Sequence, residues 1–303
     1  MDKFFPVRIG LVALASCHGL MAQPTLEARM KAAIAEVQGT VSLYAKNMDT
    51  GETFGVREDE RVRTASTIKL PIMAAIFEAV AQGKARWTDV LPLTGPKKVS
   101  GSGVVRELSN GLRLPIRDLV NLMIVVSDNT ATNMLLERFP GDGVNAMMDK
   151  MDLGHTRSLR MILGDGTDLK AIPSGLSAAG LDPENQRYGI GVSTPREMVM
   201  LLERIELGKV LSPAASKDMI AILKRQQFKD GIGRHVTDAV ASKSGSLDHL
   251  RSDVGIVYTR GGRIALAITI DDMPVIDYSP DNIGNVAISK LTGILLDGLK
   301  RKP

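Results

Sequence analysis

The apolar residues of this 303-residue chain keep one period at its ends and another in its middle. "TVSLYAKNMDTGETFGVRED", residues 40–59, alternates in part and reverses at "DTG", so it reads as strand, turn, strand. From Ala65 to about Gly83 the spacing turns helical and strongly apolar, the pattern of a buried helix. Helical spacing continues in "LPIRDLVNLMIVVS", "NTATNMLLERF", "GVNAMMDKMDLG", "STPREMVMLLERIELG" and "SPAASKDMIAILKRQ". The strand pattern then returns in "AVASKSGS", "SDVGIVYTR" and "RIALAITIDDM", with the glycine pair 261–262 joining the last two as a hairpin. A helix over roughly 281–299 closes the chain, and "TLEARMKAAIAEVQG" supplies one at the start, with Gly39 as its C-cap. Two strands, then helices, then three strands and a helix predict an α/β fold split by an all-helical insertion. The predicted division is 25–63 with 213–303 as the α/β part and 64–212 as the helical part, one catalytic domain in all. In "STPREM" Thr194 caps, Pro195 takes the first helical position and Glu197 completes a capping box.

Composition removes several function classes. Net charge is +4, and outside the terminal "LKRKP" the basic residues are scattered without interleaved aromatics, which speaks against nucleic-acid binding. A single cysteine, Cys17, allows no intramolecular disulfide. The four histidines, at 18, 155, 235 and 249, lack metal-ligand spacing, so neither a metal nor another cofactor is expected.

Residues 1–22 read as an export signal: Lys3 and Arg8, then the apolar run "IGLVALAS", too short to span a bilayer. Two cleavage readings stand. "LASC" looks like a lipobox, which would put a lipid anchor on Cys17; the other reading cuts after Ala22. Either places the mature protein outside the cytoplasmic membrane, in the periplasm or an equivalent compartment.

The chemistry starts at "STIK", Ser66 to Lys69. Alone this is a helix cap followed by a surface lysine, and S-x-x-K should occur about once in a chain of this length. "SDN" follows at Ser127–Asn129 and "KSG" at Lys243–Gly245. Each is short, but all three in this order are not a coincidence of composition. A serine hydroxyl needs a base, and Lys69 emerges one helical turn from Ser66 on the same face. A lysine serves as a base only when burial or a second cation lowers its pKa, and Lys243 is a candidate for that cation.

These three motifs resemble the class A β-lactamases and the related penicillin-binding DD-peptidases. The resemblance extends over most of residues 25–300. It implies an antiparallel five-stranded sheet flanked by helices, of the β-lactamase/transpeptidase type, and a monomer. It also implies the roles. Ser66 is acylated with Lys69 as base, and Ser127 passes a proton to the leaving nitrogen with help from Lys243. Asn129 bonds Lys69 and the substrate amide, the amides of Ser66 and Ser246 make the oxyanion hole, Ser244, Lys243 and Arg251 hold the substrate carboxylate, and Gly245 is among the substrate-binding residues. The implied substrates are β-lactams or peptidoglycan stem peptides, with no partner macromolecule.

One element of the family is missing. Its members carry a glutamate in an E-x-x-L-N box after the SDN helix, which orients the water that releases the acyl group. Aligning "TRSLR", 156–160, with the start of that loop puts Ile162 at the glutamate position. Asp165 and Glu184 are the nearby acids. Three readings follow: a β-lactamase using one of those acids, a DD-peptidase inhibited by penicillins, or a lipoprotein that is acylated without turnover. The stretch "GSGVV", 101–105, is expected to border the cleft.

Overall fold

A computed structural model describes residue 1, residues 24–164 and residues 174–301. Residues 2–23, which include Cys17 and most of the stretch read above as an export signal, lie outside the described residues, as does Asp165. The helices are α1 Leu26–Ala35, α2 Lys69–Ala81, α3 Ile116–Val125, α4 Asn129–Arg138, α5 Gly141–Lys150, the single turn α6 Ala178–Leu181, α7 Pro195–Glu206, α8 Pro213–Leu223 and α9 Ile283–Leu299. The strands are β1 Thr40–Asn47, β2 Thr53–Val56, β3 Val62–Arg63, β4 Val90–Pro92, β5 Arg113–Pro115, β6 Arg157–Ser158, β7 Gly191–Ser193, β8 Ala239–Leu247, β9 Leu250–Thr259 and β10 Gly262–Asp271.

Five strands form one antiparallel sheet in the order β2-β1-β10-β9-β8, with Leu43 of β1 opposite Ile268 of β10. The alternation of β10 explains its two faces. Ile264, Leu266, Ile268 and Ile270 point to α1 and α9, while Ala265 and Ala267 point to the helical side. The small alanines let α7 lie close against β10 and β1. Beyond it α2, α3, α5 and α8 share a second core, in which α2 is buried without interruption from Lys69 to Phe77.

The structure departs from the sequence reading in three places. The segment expected to be all-helical also carries the pairs β4–β5 and β6–β7, the second extended by β3. Strands of two or three residues leave no period to read. Gly39 is not a helix cap: α1 ends at Ala35 with Glu36 capping, and Gly39 (φ +152°) leads into β1 where a Cβ would sit 2.6 Å from the Asp271 carbonyl oxygen. Glu197 closes no capping box. Thr194 does cap α7, accepting from the Glu197 amide at 3.1 Å. The Glu197 carboxylate instead reaches back to the His155 amide at 2.9 Å and the Thr156 hydroxyl at 2.6 Å, tying the segment before β6 to α7. Among the described residues no helix is long and apolar enough to cross a membrane.

Candidate active site

Ser66 sits in a 3-10 turn, Ala65–Ile68, that runs directly into α2. It is not the helix cap. Thr64 holds that position and makes no side-chain capping bond. Ala65, just before the serine, has φ +46°, a left-handed conformation costly for a residue with a Cβ. Ser127 has the same feature, φ +53°, at the break between α3 and α4. Strain at Ala65, just before Ser66, and at Ser127 itself points to positions held for chemistry.

Asp128 makes that break rigid. One carboxylate oxygen caps α4 through the Ala131 amide at 2.8 Å, and the other takes the Val104 and Val105 amides at 2.6 and 2.8 Å. The segment 99–105 is thereby pinned beside α4, and Gly101 and Ser102 line the cleft, as the "GSGVV" reading expected. Asn133, one turn into α4, donates to the Ile162 carbonyl and accepts from its amide.

A cleft of about 830 Å³ is lined by Ser66, Ser127, Asn129, Ser244, Gly245, Ser246 and Arg251, with Ile162 and Arg160 on the loop side. Lys69 and Lys243 lie beneath its floor, each 0% exposed. Lys69 Nζ donates to the Ser127 carbonyl at 2.7 Å, the Ser127 hydroxyl at 3.1 Å and Asn129 Oδ1 at 2.9 Å. Lys243 Nζ donates to the same hydroxyl at 3.1 Å and to the Ser244 carbonyl at 2.6 Å. The Ser127 oxygen is therefore shared by two buried lysines. Burial holds the Lys69 amine well below the ordinary lysine range, and the Lys243 charge pushes it the same way, with Asp128 opposing. Burial pushes Lys243 down to about 7, against an upward pull from Asp253.

Gly245 brings β8 against the nucleophile: a Cβ there would lie 2.8 Å from the Thr64 carbonyl oxygen and 2.9 Å from the Ser66 amide nitrogen. Asn129 also donates to the Ser100 carbonyl at 2.9 Å, so its amide joins Lys69 to the opposite wall. Arg251 is not a solvated strand-end charge. It is 2% exposed, donates to the carbonyls of Leu247, Leu250 and Asp277, and lies over the Tyr278 ring at 4.8 Å. Glu184 is exposed and does not line the cleft, which removes it as a stand-in for the missing loop acid.

Sequence reading assigned no part to Asp128, Asn133 or Asp253. Asp253 had a signal: a carboxylate midway along an apolar strand, where aspartate is disfavoured. No group of His, Cys, Asp or Glu among the described residues could hold a metal ion.

Comparison with known proteins agrees with this geometry. Residues 25–299 match the model of the beta-lactamase enzyme family. The β-lactamase regulatory protein BlaB of Streptomyces cacaoi is 26% identical over 274 residues, covering 80% of this chain and 87% of that protein. β-Lactamase L2 of Stenotrophomonas maltophilia is 24% identical over 77% of this chain and 73% of its own length. The crystal structure of a β-lactamase from Sphaerobacter thermophilus superimposes with a TM-score of 0.77 at 31% identity, covering 90% of this chain and 96% of that one. The penicillin-binding protein PBP-A superimposes at 0.71 with 21% identity, over 90% of this chain and 96% of its own, a likeness of fold. With the fold, the three motifs and the match over 25–299 in agreement, the chain belongs to the β-lactamase enzyme family and is a serine hydrolase of the class A type.

Proposed function

We propose that Ser66 opens the amide bond of β-lactams and that the resulting acyl-enzyme is released slowly. The Ser66 oxygen attacks the lactam carbonyl while its proton passes to Lys69. The C–N bond then breaks, and the ring nitrogen takes a proton from Ser127, which Lys69 resupplies across 3.1 Å. The developing oxyanion is held by the Ser66 and Ser246 amides. Water finally cleaves the Ser66 ester, returning the hydroxyl and releasing the ring-opened acid.

The observation that carries the slow last step is Ile162. It lines the cleft where the family places its water-orienting glutamate, and an isoleucine can neither accept nor deliver a proton. Loss of a positioned base costs about 10²–10⁴-fold in such a step. The same observation favours a second reading, a DD-peptidase acting on peptidoglycan stem peptides, because acylation does not need the missing acid.

One experiment separates them. The protein is mixed with an excess of a chromogenic cephalosporin, and absorbance and intact mass are followed together. Continued turnover without a lasting adduct identifies a β-lactamase. A one-equivalent burst with a stable adduct on Ser66 identifies a penicillin-binding enzyme, with stem peptides as its substrate. Ser66→Ala abolishes labelling by a fluorescent penicillin under either reading, and persistent labelling overturns both. The charged and apolar pattern of residues 1–22 supports an extracytoplasmic location, with Cys17 as the point of attachment if lipidated.

A further inference from the structure

Lys69, Lys243 and Arg251 are cations whose hydrogen bonds are already committed. The two lysines donate to Ser127, Asn129 and the Ser244 carbonyl, and Arg251 donates to the carbonyls of Leu247, Leu250 and Asp277. Arg160, on the loop side of the cleft, is different.

Its backbone is fixed on both sides. Leu159 donates to the Ile190 carbonyl and accepts from the Ser177 amide, each at 3.0 Å, and the Met161 amide donates to the Ser174 carbonyl at 2.9 Å. The half-buried side chain passes beside Gly189, where an added Cβ would stand 3.7 Å from Nη2. Nη1 donates to the Met161 carbonyl at 3.0 Å, which sets the direction of the guanidinium. Among the described residues Nε and Nη2 have no acceptor, and neither is sealed from solvent.

No acid among the described residues answers this charge. Arg157 pairs with Asp149, and Arg196 with Glu58 and Asp59, but no carboxylate lies within ion-pair distance of Arg160. The acids bordering the cleft, Asp230, Asp248 and Asp253, belong to the β8–β9 side. Partial burial therefore strips water from the guanidinium without supplying an anion, and an arginine so placed keeps its charge.

The acyl part of a substrate runs along this wall. Asn129, which the family resemblance gives to the substrate amide, opens α4, and Asn133 of the same helix holds Ile162, two residues beyond Arg160. The carboxylate end at Ser244 lies on the strand side instead.

We propose that Arg160 is a specificity-determining residue that binds a carboxylate on the acyl side chain of the substrate through Nε and Nη2. Arginine meets a carboxylate in this two-pronged way. Arg160 touches no reacting atom, and the assignment rests on the proposed acylation of Ser66.

Benzylpenicillin and α-carboxybenzylpenicillin, which differ by one carboxylate on the acyl side chain, test it. Their acylation rate constants are measured by competition with a fluorescent penicillin for the wild type, Arg160→Gln and Arg160→Lys. The ratio of the carboxylated to the plain compound falls about tenfold in Arg160→Gln, the order expected of a charge-assisted pair at a half-exposed site. Arg160→Lys recovers part of it, since it keeps the charge and loses the fork. In the wild type the ratio declines as salt is added. An unchanged ratio in Arg160→Gln, even with both rates lowered, overturns the proposal and leaves Arg160 a support of the loop.

Should Arg160→Gln fail to fold, or neither penicillin acylate Ser66, the wild-type protein is titrated with the isolated side chains, phenylmalonate monoamide and phenylacetamide. A shift of the Arg160 Nε–H resonance with the carboxylate-bearing fragment alone supports the site. A shift with neither, or an equal shift with both, overturns it. Absence of acylation defeats the proposed function and leaves this titration to judge Arg160.

Discussion

Asn133 grips Ile162 through both of its backbone groups, donating to the carbonyl and accepting from the amide, each at 2.8 Å. The loop position that aligns with the family's glutamate is thus held by α4 rather than by its own side chain. Replacing that side chain leaves the grip intact, so Ile162→Glu should bring a carboxylate into the cleft without moving the loop. Deacylation is expected to quicken by about 10–10²-fold, below the full worth of a general base because the surrounding contacts suit an isoleucine. The lifetime of the penicillin adduct, followed by intact mass, measures it; an unchanged lifetime would show that water is not oriented from this position.

The pH dependence of acylation follows from the two lysines. Lys69 is a base only when neutral, so the rate rises with pH as it loses its proton. Burial and the neighbouring Lys243 charge bring that rise below the ordinary lysine range. Lys243, pushed to about 7, loses its charge as pH rises further, and the rate falls again. Lys243→Gln removes the like charge. Lys69 then holds its proton to higher pH, so the acid limb moves up and the alkaline limb disappears, with acylation at the optimum lowered roughly 10²-fold. Stopped-flow acylation across pH checks both limbs.

Gly245 is a contact as much as a motif residue. With the Thr64 carbonyl at 2.8 Å and the Ser66 amide at 2.9 Å from any added Cβ, Gly245→Val has to push β8 off the 3-10 turn. Overpacking of this kind costs about 1–3 kcal/mol. Acylation should fall at least tenfold, since the Ser66 amide is displaced along with the turn. Thermal melting and penicillin labelling together distinguish this from simple unfolding.

Glu197 is expected to matter for stability and not for acylation. Its buried carboxylate accepts from the His155 amide and the Thr156 hydroxyl, and bonds to charged acceptors contribute about 1.5–3 kcal/mol each. Glu197→Ala should lower stability by about 2 kcal/mol while penicillin labelling of Ser66 in the folded protein stays within twofold. A variant as stable as the wild type would show that the tether is redundant.

The long periodic segments were legible because their burial is regular. β10 exposes isoleucine and leucine to one side and alanine to the other, and a period of two follows directly. Nothing local announces that β1 lies between β2 and β10, since that pairing joins residues from opposite ends of the chain. At the site, the residues that carry short motifs could be read. Those acting through backbone groups could not. Asn133 binds the main-chain atoms of Ile162 with its side-chain amide, a contact that no motif announces. Glu197 shows the reverse error, since a side chain at the right spacing for a capping box found a longer-range partner.

The Met161 amide donates to the Ser174 carbonyl at 2.9 Å, and the Ser177 amide to the Leu159 carbonyl at 3.0 Å, so the chain departs and returns at a single neck. Ser66, Lys69, Ser127 and Lys243 all lie outside that neck, while Ile162 lies just within it. Substitutions, insertions or deletions beyond the neck can therefore alter release of the acyl group without detuning its formation. Closure entropy adds only about 0.6 kcal/mol for each doubling of loop length. Descent from an ancestor of this architecture could swap one segment to convert a long-lived adduct into a catalytic intermediate, leaving the inherited nucleophile and its base untouched.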